Sequence, residues 1–254
     1  MIRATHSTVK FLSFALFGIA CLLPGGAAGA EPTLPVPSPS NETVPCMILE
    51  KIQPQFPVRM LKEGATHGVV RVLLHVNSTG ELIDTLVTAH SRRPFADEAL
   101  RAIEKWKFSP GREKGTPIDT IIDLTFTFEV KEVYLVQRFG TKDVSATERF
   151  EGYDYHPRDV QSLDRLPTPL NLVEPTYPQE WVKQGIAGSV TVDFFIDETG
   201  KARFPAAAPG THELLAGIAV AAVQQWRFIP PKAKGRPVLV RARQIFDFGG
   251  EAKN

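Results

Sequence analysis

The sequence predicts an α+β fold: two tandem small β-β-α-β domains, each a three-stranded antiparallel sheet with one helix packed on it. The first observation is a repeat, because residues 68–128 and 188–248 share 16 identities over 61 aligned positions. Unrelated sequences of ordinary composition would share about four. The second observation is that a strand pattern and then a helix pattern stand at the same places in both repeats. One structural unit is therefore expected twice.

The first strand of each repeat shows alternating hydrophobicity. Every second residue from 70 to 76 is apolar, and residues 190–196 repeat this phase. Such alternation is typical of a half-buried strand. The turn sequences that follow end in Gly80 and Gly200, so each strand is expected to fold back as a hairpin. In the second repeat Pro205 makes the return strand short, confined to a sheet edge, or absent.

Each hairpin is followed by apolar residues at helical spacing, which end at Trp106 in the first repeat and at Trp226 in the second. Pro110 and Pro230 mark the point beyond which the helix has stopped. A last strand then completes each unit. The two tryptophans are expected to fill the core between helix and sheet.

Residues 1–30 predict a secretory signal peptide. A positively charged start precedes an apolar run over residues 11–23, and small residues ending at Ala30 offer a cleavage site. A membrane span needs roughly 20 apolar residues, so cleavage after Ala30 and export are expected. An uncleaved membrane anchor is the alternative.

The remaining chain divides by composition. Residues 31–46 are rich in proline and predict an extended spacer. Residues 47–132 and 167–250 are the two predicted domains, and residues 133–166 are a polar, mixed linker between them.

Composition excludes several functional classes. The 254 residues include 29 Lys and Arg and 28 Asp and Glu. The net charge is therefore close to zero and provides no overall electrostatic attraction for nucleic acid. Two cysteines exclude a disulfide scaffold and a cysteine-rich zinc module. The six histidines form no pair at metal-ligand spacing, and no nucleophile elbow, phosphate loop or dinucleotide fingerprint is present. We therefore expect no enzyme activity, metal or cofactor.

Short motifs recur in order in both repeats and resemble the TonB C-terminal domain. A proline segment, residues 53–57 or 174–178, precedes each repeat, and the repeat itself starts with a Gly-initiated strand. Next come a Trp-(Lys/Arg)-Phe-x-Pro motif and a Gly-x-Pro motif before the last strand. No single motif is specific, but their order and duplication are.

The resemblance implies a mechanical coupler between an inner-membrane, proton-driven motor and outer-membrane receptors. Its C-terminal domain captures an N-terminal segment of an outer-membrane transporter, which adds as a strand to an exposed sheet edge. The resemblance also implies a location in the periplasm, or an inner-membrane anchor facing the periplasm if the N-terminus is not cleaved. Motor proteins of the ExbB and ExbD type are implied partners in the anchored case. However, Ser13 lacks the His four residues later that the motor-coupling members of the family carry.

The last strand of each repeat is the candidate edge, together with the proline segment that in the family lies beside the bound peptide. Alternatively, the proline segment is a lead-in that only positions the domain. The candidate partner-binding residues are Gln53, Pro54, Phe56, Pro57, Ile118, Ile122, Leu124 and Phe126 in the first repeat, and Pro175, Tyr177, Pro178, Val238, Val240, Arg241 and Arg243 in the second.

The charges on the two candidate edges differ. The first carries Asp119 and Asp123, whereas the second carries Arg236, Arg241 and Arg243. These are either ordinary solvated charges or a sign that the second repeat prefers acidic segments.

Two functions from different classes remain open. One is a TonB-like protein that binds transporter segments and supports energy-coupled transport. The other is a structural envelope protein that forms homo-oligomers through its sheet edges, without motor coupling.

Overall fold

The computed structural model describes residues 43–130, 133–139 and 152–249, the second range by its backbone. The predicted signal peptide and all but the last residues of the predicted spacer lie outside these ranges. Among the helices that are described, none has the length and apolar character needed to cross a bilayer.

The first repeat, here copy one, extends from residue 43 to residue 139. Its elements are β1 (Met47–Glu50), α1 (Val58–Lys62), β2 (His67–Val76), β3 (Leu82–His90), α2 (Arg93–Ile103), β4 (Lys107–Ser109), β5 (Gly111–Glu113), β6 (Thr116–Ile118), β7 (Thr120–Glu129) and β8 (Val133–Phe139).

The second repeat, copy two, covers residues 152–249 and begins with a 3-10 turn at Val160–Ser162. Its elements are β9 (Pro169–Asn171), α3 (Gln179–Lys183), β10 (Gly188–Ile196), β11 (Ala202–Ala207), α4 (Glu213–Gln224), β12 (Arg227–Phe228), β13 (Lys232–Ala233), β14 (Arg236–Pro237) and β15 (Val240–Phe248).

The main sheets confirm the predicted β-β-α-β order and add one strand. Copy two has the antiparallel order β11-β10-β15, with the proline-containing β11 at an edge as expected. Copy one has the order β3-β2-β7-β8. Its fourth strand, β8, comes from residues that the sequence assigned to a linker, so the expectation of three strands in copy one is wrong.

Each hairpin turn depends on a glycine packed against the chain that follows the helix. Gly80 has a φ of +88° and Gly200 a φ of +84°. A Cβ atom at Gly200 would lie 2.0 Å from the carbonyl oxygen of Phe228, and one at Gly80 would lie 2.7 Å from that of Phe108. Both the backbone conformation and the close approach therefore require glycine.

One helix covers one face of each sheet, as the spacing of apolar residues predicts. Helix α2 buries Phe95, Ala99 and Ile103 against copy one, and α4 buries Leu215 and Val223 against copy two. The two tryptophans that end these helical patterns are 6% and 5% exposed. Their predicted place in the cores is confirmed.

A third apolar cluster joins the two copies. Leu86 of copy one packs with Phe195, Phe204 and Leu239 of copy two, and all four are buried. Partly buried Leu73, Ile121 and Tyr155 surround this inter-copy core. The predicted domains are therefore packed against each other through the sheet faces opposite their helices.

The ring of Phe204 reaches the inter-copy core from a bulge in an edge strand. Phe204 has a φ of +50°, a conformation that costs a non-glycine residue of order 1–3 kcal/mol. The pairing of β10 with β11 shifts register at the same place, between Asp193 and Phe195. The strain is thus located where copy two contacts copy one.

Candidate strand-docking site

The last strands of the two copies differ in their outer neighbours. Strand β7 pairs with β2 on one side and, over seven residue pairs from Ile122–Phe139 to Phe128–Val133, with β8 on the other. The expectation that β7 is a sheet edge is therefore wrong: the chain's own β8 occupies that position, because its extended residues can satisfy the exposed backbone groups.

Strand β15 is an edge strand within the described part of the chain. Its inner side pairs with β10 over all nine residues, from Val240 to Phe248. On its outer side the structure has one parallel bridge, from Arg158 to Val240, and no strand beyond it among the described residues. An edge of this kind presents backbone N–H and C=O groups to which another extended chain can add.

The proline segments are held beside these strands by the two buried tryptophans. Trp106 Nε1 donates to the carbonyl oxygen of Ile52 at 2.7 Å, and Trp226 Nε1 donates to that of Val173 at 2.9 Å. Each bond fixes the residues directly before a proline segment. The sequence predicts the burial of the tryptophans but not this hydrogen bond, which only the fold makes visible.

In copy two the proline segment and β15 enclose an open groove of about 440 Å³. Val173, Pro175 and Tyr177 line it from the proline segment and the residue before it, and Phe246 and Phe248 line it from β15. Phe246 is half-buried, and its ring lies 5.7 Å from that of Trp226. An apolar side chain of an added strand would fit in this groove.

Tyr177 lines the groove and is anchored to copy two. Its ring packs edge-on against Phe248 at 5.4 Å, and its hydroxyl donates to the carbonyl oxygen of Ile186 at 2.5 Å. The equivalent Phe56 of copy one packs edge-on against Phe95 at 5.2 Å. The aromatic residue of the proline segment is therefore an anchor to the domain in both copies.

The predicted residues of copy one are largely buried in its own core. Ile122, Leu124 and Phe126 of β7 are 0% exposed. Pro54 and Pro57 are buried, Phe56 is half-buried and Gln53 is exposed, so the structure brings this segment to the core of copy one rather than to an open edge.

Five of the seven predicted residues of copy two line the open groove or lie on β15, and Pro178 and Val238 do not. Pro175 and Tyr177 line the groove, and Pro178 precedes helix α3. Val240, Arg241 and Arg243 are on β15, buried, half-buried and exposed respectively.

Ile118 and Val238 do not belong to the edge strands. Ile118 pairs with Gly111 in the β5–β6 hairpin. The amide of Val238 donates to the carbonyl oxygen of Pro231 at 3.0 Å. It is therefore wrong to count Ile118 and Val238 among the residues of the last strands, because the chain first completes a small hairpin that contains the Gly-x-Pro motif, β5–β6 in copy one and β13–β14 in copy two.

The charged residues at the aligned positions 123 and 243 are paired within their own sheets. Asp123 of β7 accepts a hydrogen bond from Arg71 at 3.1 Å. Arg243 of β15, at the aligned position, donates two bonds to Asp193, at 2.7 and 3.0 Å. The same position thus carries opposite charges in the two copies, each balanced by the neighbouring strand.

Sequence reasoning missed β8 and the inter-copy core. The signal for β8 was the run Val-Tyr-Leu-Val-Gln-Arg-Phe at residues 133–139, which is rich in strand formers. The signal for the inter-copy core was the presence of Leu73 and Phe195, two apolar residues that stand between the alternating apolar positions of their strands.

The described part of the chain thus contains two small α+β units, and a groove borders the outer side of β15 in the second unit. A family model described as Gram-negative bacterial TonB protein C-terminal matches residues 52–130 and, again, residues 173–249. The matches cover more than half of the chain, and the chain belongs to this family. No curated protein matches the chain.

Proposed function

We propose that this protein is a periplasmic TonB-like protein that binds extended N-terminal segments of outer-membrane transporters and thereby supports energy-coupled transport. The bound segment adds as a strand to β15 of copy two. The observation that carries this proposal is the contrast between the outer sides of β7, paired with β8, and β15, bordered by a groove.

The physical basis is strand addition. The backbone groups of β15 supply hydrogen bonds that do not depend on the partner's sequence, and the groove beside Phe246 selects the side chain that enters it. The proline segment supports this site, since Trp226 holds it against the groove through Val173. The periplasmic location rests on the predicted signal peptide, and any contact with motor proteins depends on an uncleaved N-terminus.

The proposal is tested with synthetic peptides that copy N-terminal segments of outer-membrane transporters from the same bacterium. Calorimetry on the mature chain should detect binding, and Phe246→Ala should weaken it about tenfold because the groove loses part of its apolar lining. Ile83→Ala is the matched control, because Ile83 is a 53% exposed apolar residue on β3 of copy one. Equal binding by all three proteins would contradict the proposed site.

Self-association is the second candidate function, and one observation favours it. Strand β8 shows that a strand of this chain can occupy the outer side of a last strand. Two molecules could likewise pair through their β15 edges. Light scattering separates the functions: a monomer that binds transporter peptides supports the first, and a stable dimer that ignores them supports the second.

A further inference from the structure

The register of β8 on β7 places a cation opposite Asp123. The Cα partner of Asp123 is Arg138, and the flanking pairs are Leu124 with Gln137 and Ile122 with Phe139. Opposite charges at directly facing positions of an antiparallel pair are stabilising, whereas like charges are destabilising. The strand that closes copy one therefore carries a charge that matches the strand it closes.

Copy two inverts this charge. The residue aligned with Asp123 is Arg243, whose side chain is 48% exposed, and its partner in the neighbouring strand is the buried carboxylate of Asp193. Asp123 is paired with Arg71, which lies diagonally to it on β2, because the residue that directly faces Asp123 on β2 is Leu73. By register, the position next to Asp123 on its outer side belongs to Arg138 of β8. The position next to Arg243 on its outer side is the one that an added strand would take.

We propose that Arg243 is a specificity-determining residue of the β15 edge, which selects an incoming strand with a carboxylate at the position facing Arg243 and disfavours strands of the β8 type. This rests on the proposed function, since it assumes that β15 accepts a strand. The opposite charges of Asp123 and Arg243 favour the pairing of β8 with β7 over its pairing with β15. If β8 were placed on β15 in the same register, Arg138 would face Arg243.

The other facing positions complete the description of the partner. Phe246 and Phe248 of β15 align with Phe126 and Phe128 of β7, and Phe246 faces the groove. An apolar residue is therefore expected opposite Phe246, three positions along the strand from the carboxylate. Asp247, farther along β15, accepts a hydrogen bond from Ser189 Oγ. The partner is thus an extended segment with alternate apolar residues and a single essential acid.

The test uses two synthetic peptides and the mature chain. One peptide has the β8 sequence, Val-Tyr-Leu-Val-Gln-Arg-Phe, and the other carries Arg138→Glu. Binding is followed through the NMR signals of the backbone amides of β15. Replacement of β8 on β7 by the peptide would instead change the amide signals of β7, so the two events are distinguished. We expect the acidic peptide to bind β15 about three- to tenfold more tightly, with the difference reduced at 1 M salt because exposed charges are then screened.

Protein variants then assign the preference to Arg243. In Arg243→Asp the preference should reverse. Because this change leaves two carboxylates facing each other, Asp193→Arg/Arg243→Asp is made as well; it restores an ion pair and should show the same reversal. Lys105→Asp is the control, because it makes the same change of charge at an exposed site of copy one. This variant should keep the wild-type preference for the acidic peptide.

The outcomes are distinguishable. Equal affinity of both peptides for the wild type, or a preference unchanged in both Arg243 variants, overturns the charge rule while leaving strand addition intact. If neither peptide, nor any transporter peptide, perturbs β15, strand addition itself fails and the charge rule fails with it.

Discussion

Arg203 of copy two and Asp84 of copy one form an ion pair that joins the two copies. The guanidinium donates to Asp84 Oδ2 at 3.0 Å, to the carbonyl oxygen of Thr85 at 2.9 Å and to Asp197 Oδ2 at 3.1 Å. Arg203 is 14% exposed and lies over the ring of Phe204 in the inter-copy core. The cation thus satisfies acceptors of both copies in a largely dehydrated place.

Removal of this guanidinium should loosen the contact between the copies. Arg203→Met retains much of the apolar side chain but leaves the 8% exposed carboxylate of Asp197 without one of its partners. We expect a loss of about 2–4 kcal/mol in the free energy of unfolding, measured by urea denaturation. Arg101→Met removes a 64% exposed ion pair on α2 and should cost less than about 1 kcal/mol. Equal losses in the free energy of unfolding would show that the inter-copy ion pair contributes no more to stability than the exposed pair on α2.

The stability of the inter-copy contact should fall in mild acid because of His90. The imidazole stacks on Tyr155 with ring centroids 5.0 Å apart. Burial, and secondly Arg93, lowers the pKa of His90, while Asp154 and Asp97 partly oppose the shift. As the pH falls, His90 is therefore protonated in the unfolded chain before it is protonated in the folded protein. Stability is lost as the pH falls through about 6.5.

His90→Phe keeps a ring on Tyr155 but removes the titration. Denaturation of both proteins between pH 8 and pH 5 should show a smaller loss for the variant. A parallel loss in the two proteins would contradict the assignment to His90.

The turn glycines should be costly to replace, in an order set by the structure. Gly200→Ala should destabilise most, by about 2–4 kcal/mol, because its Cβ would lie 2.0 Å from a carbonyl oxygen. Gly80→Ala, at 2.7 Å, should cost less. Gly210→Ala is the control: its φ is +80° but its Cβ meets nothing within 4 Å, so only the backbone strain of about 1 kcal/mol remains. Thermal or urea denaturation ranks the three, and a different order would contradict this explanation.

The two tryptophans provide a matched test of the proline segments. Trp226→Phe and Trp106→Phe each remove one indole N–H···O bond, so each should cost about 1–2 kcal/mol of stability. Only Trp226→Phe should also weaken the binding of transporter peptides, because its bond fixes the wall of the open groove. Peptide titrations at a temperature where both variants are folded measure this. Equal weakening by Trp106→Phe would place the docking site elsewhere.

The elements that follow a simple hydrophobic period were predictable from the sequence. Residues 70–76 and the face that ends at Trp106 encode a strand and a helix by local spacing alone. The inter-copy core was not predictable in this way, because Phe195 stands in the outward phase of its strand and its burial depends on where Leu86 of the other copy lies.

The candidate site, too, was predictable from the sequence only in part. Its proline segment and last strand could be located from motifs, but their accessibility could not. Phe126 and Phe246 are aligned and chemically identical, yet only the strand of Phe126 is covered by β8. That difference arises from a tertiary pairing of a segment with no counterpart in the repeat, so no pattern within the repeat records it.

The central claim is that one last strand is closed by the chain itself and the other is open, and amide hydrogen exchange of the mature chain tests it most directly. In the free protein the amides of β7 should be protected throughout, while alternate amides of β15 exchange rapidly; a bound transporter peptide should protect those amides of β15 and leave β7 unchanged. Full protection of β15 before any peptide is added, or new protection on β7 alone, would contradict this account.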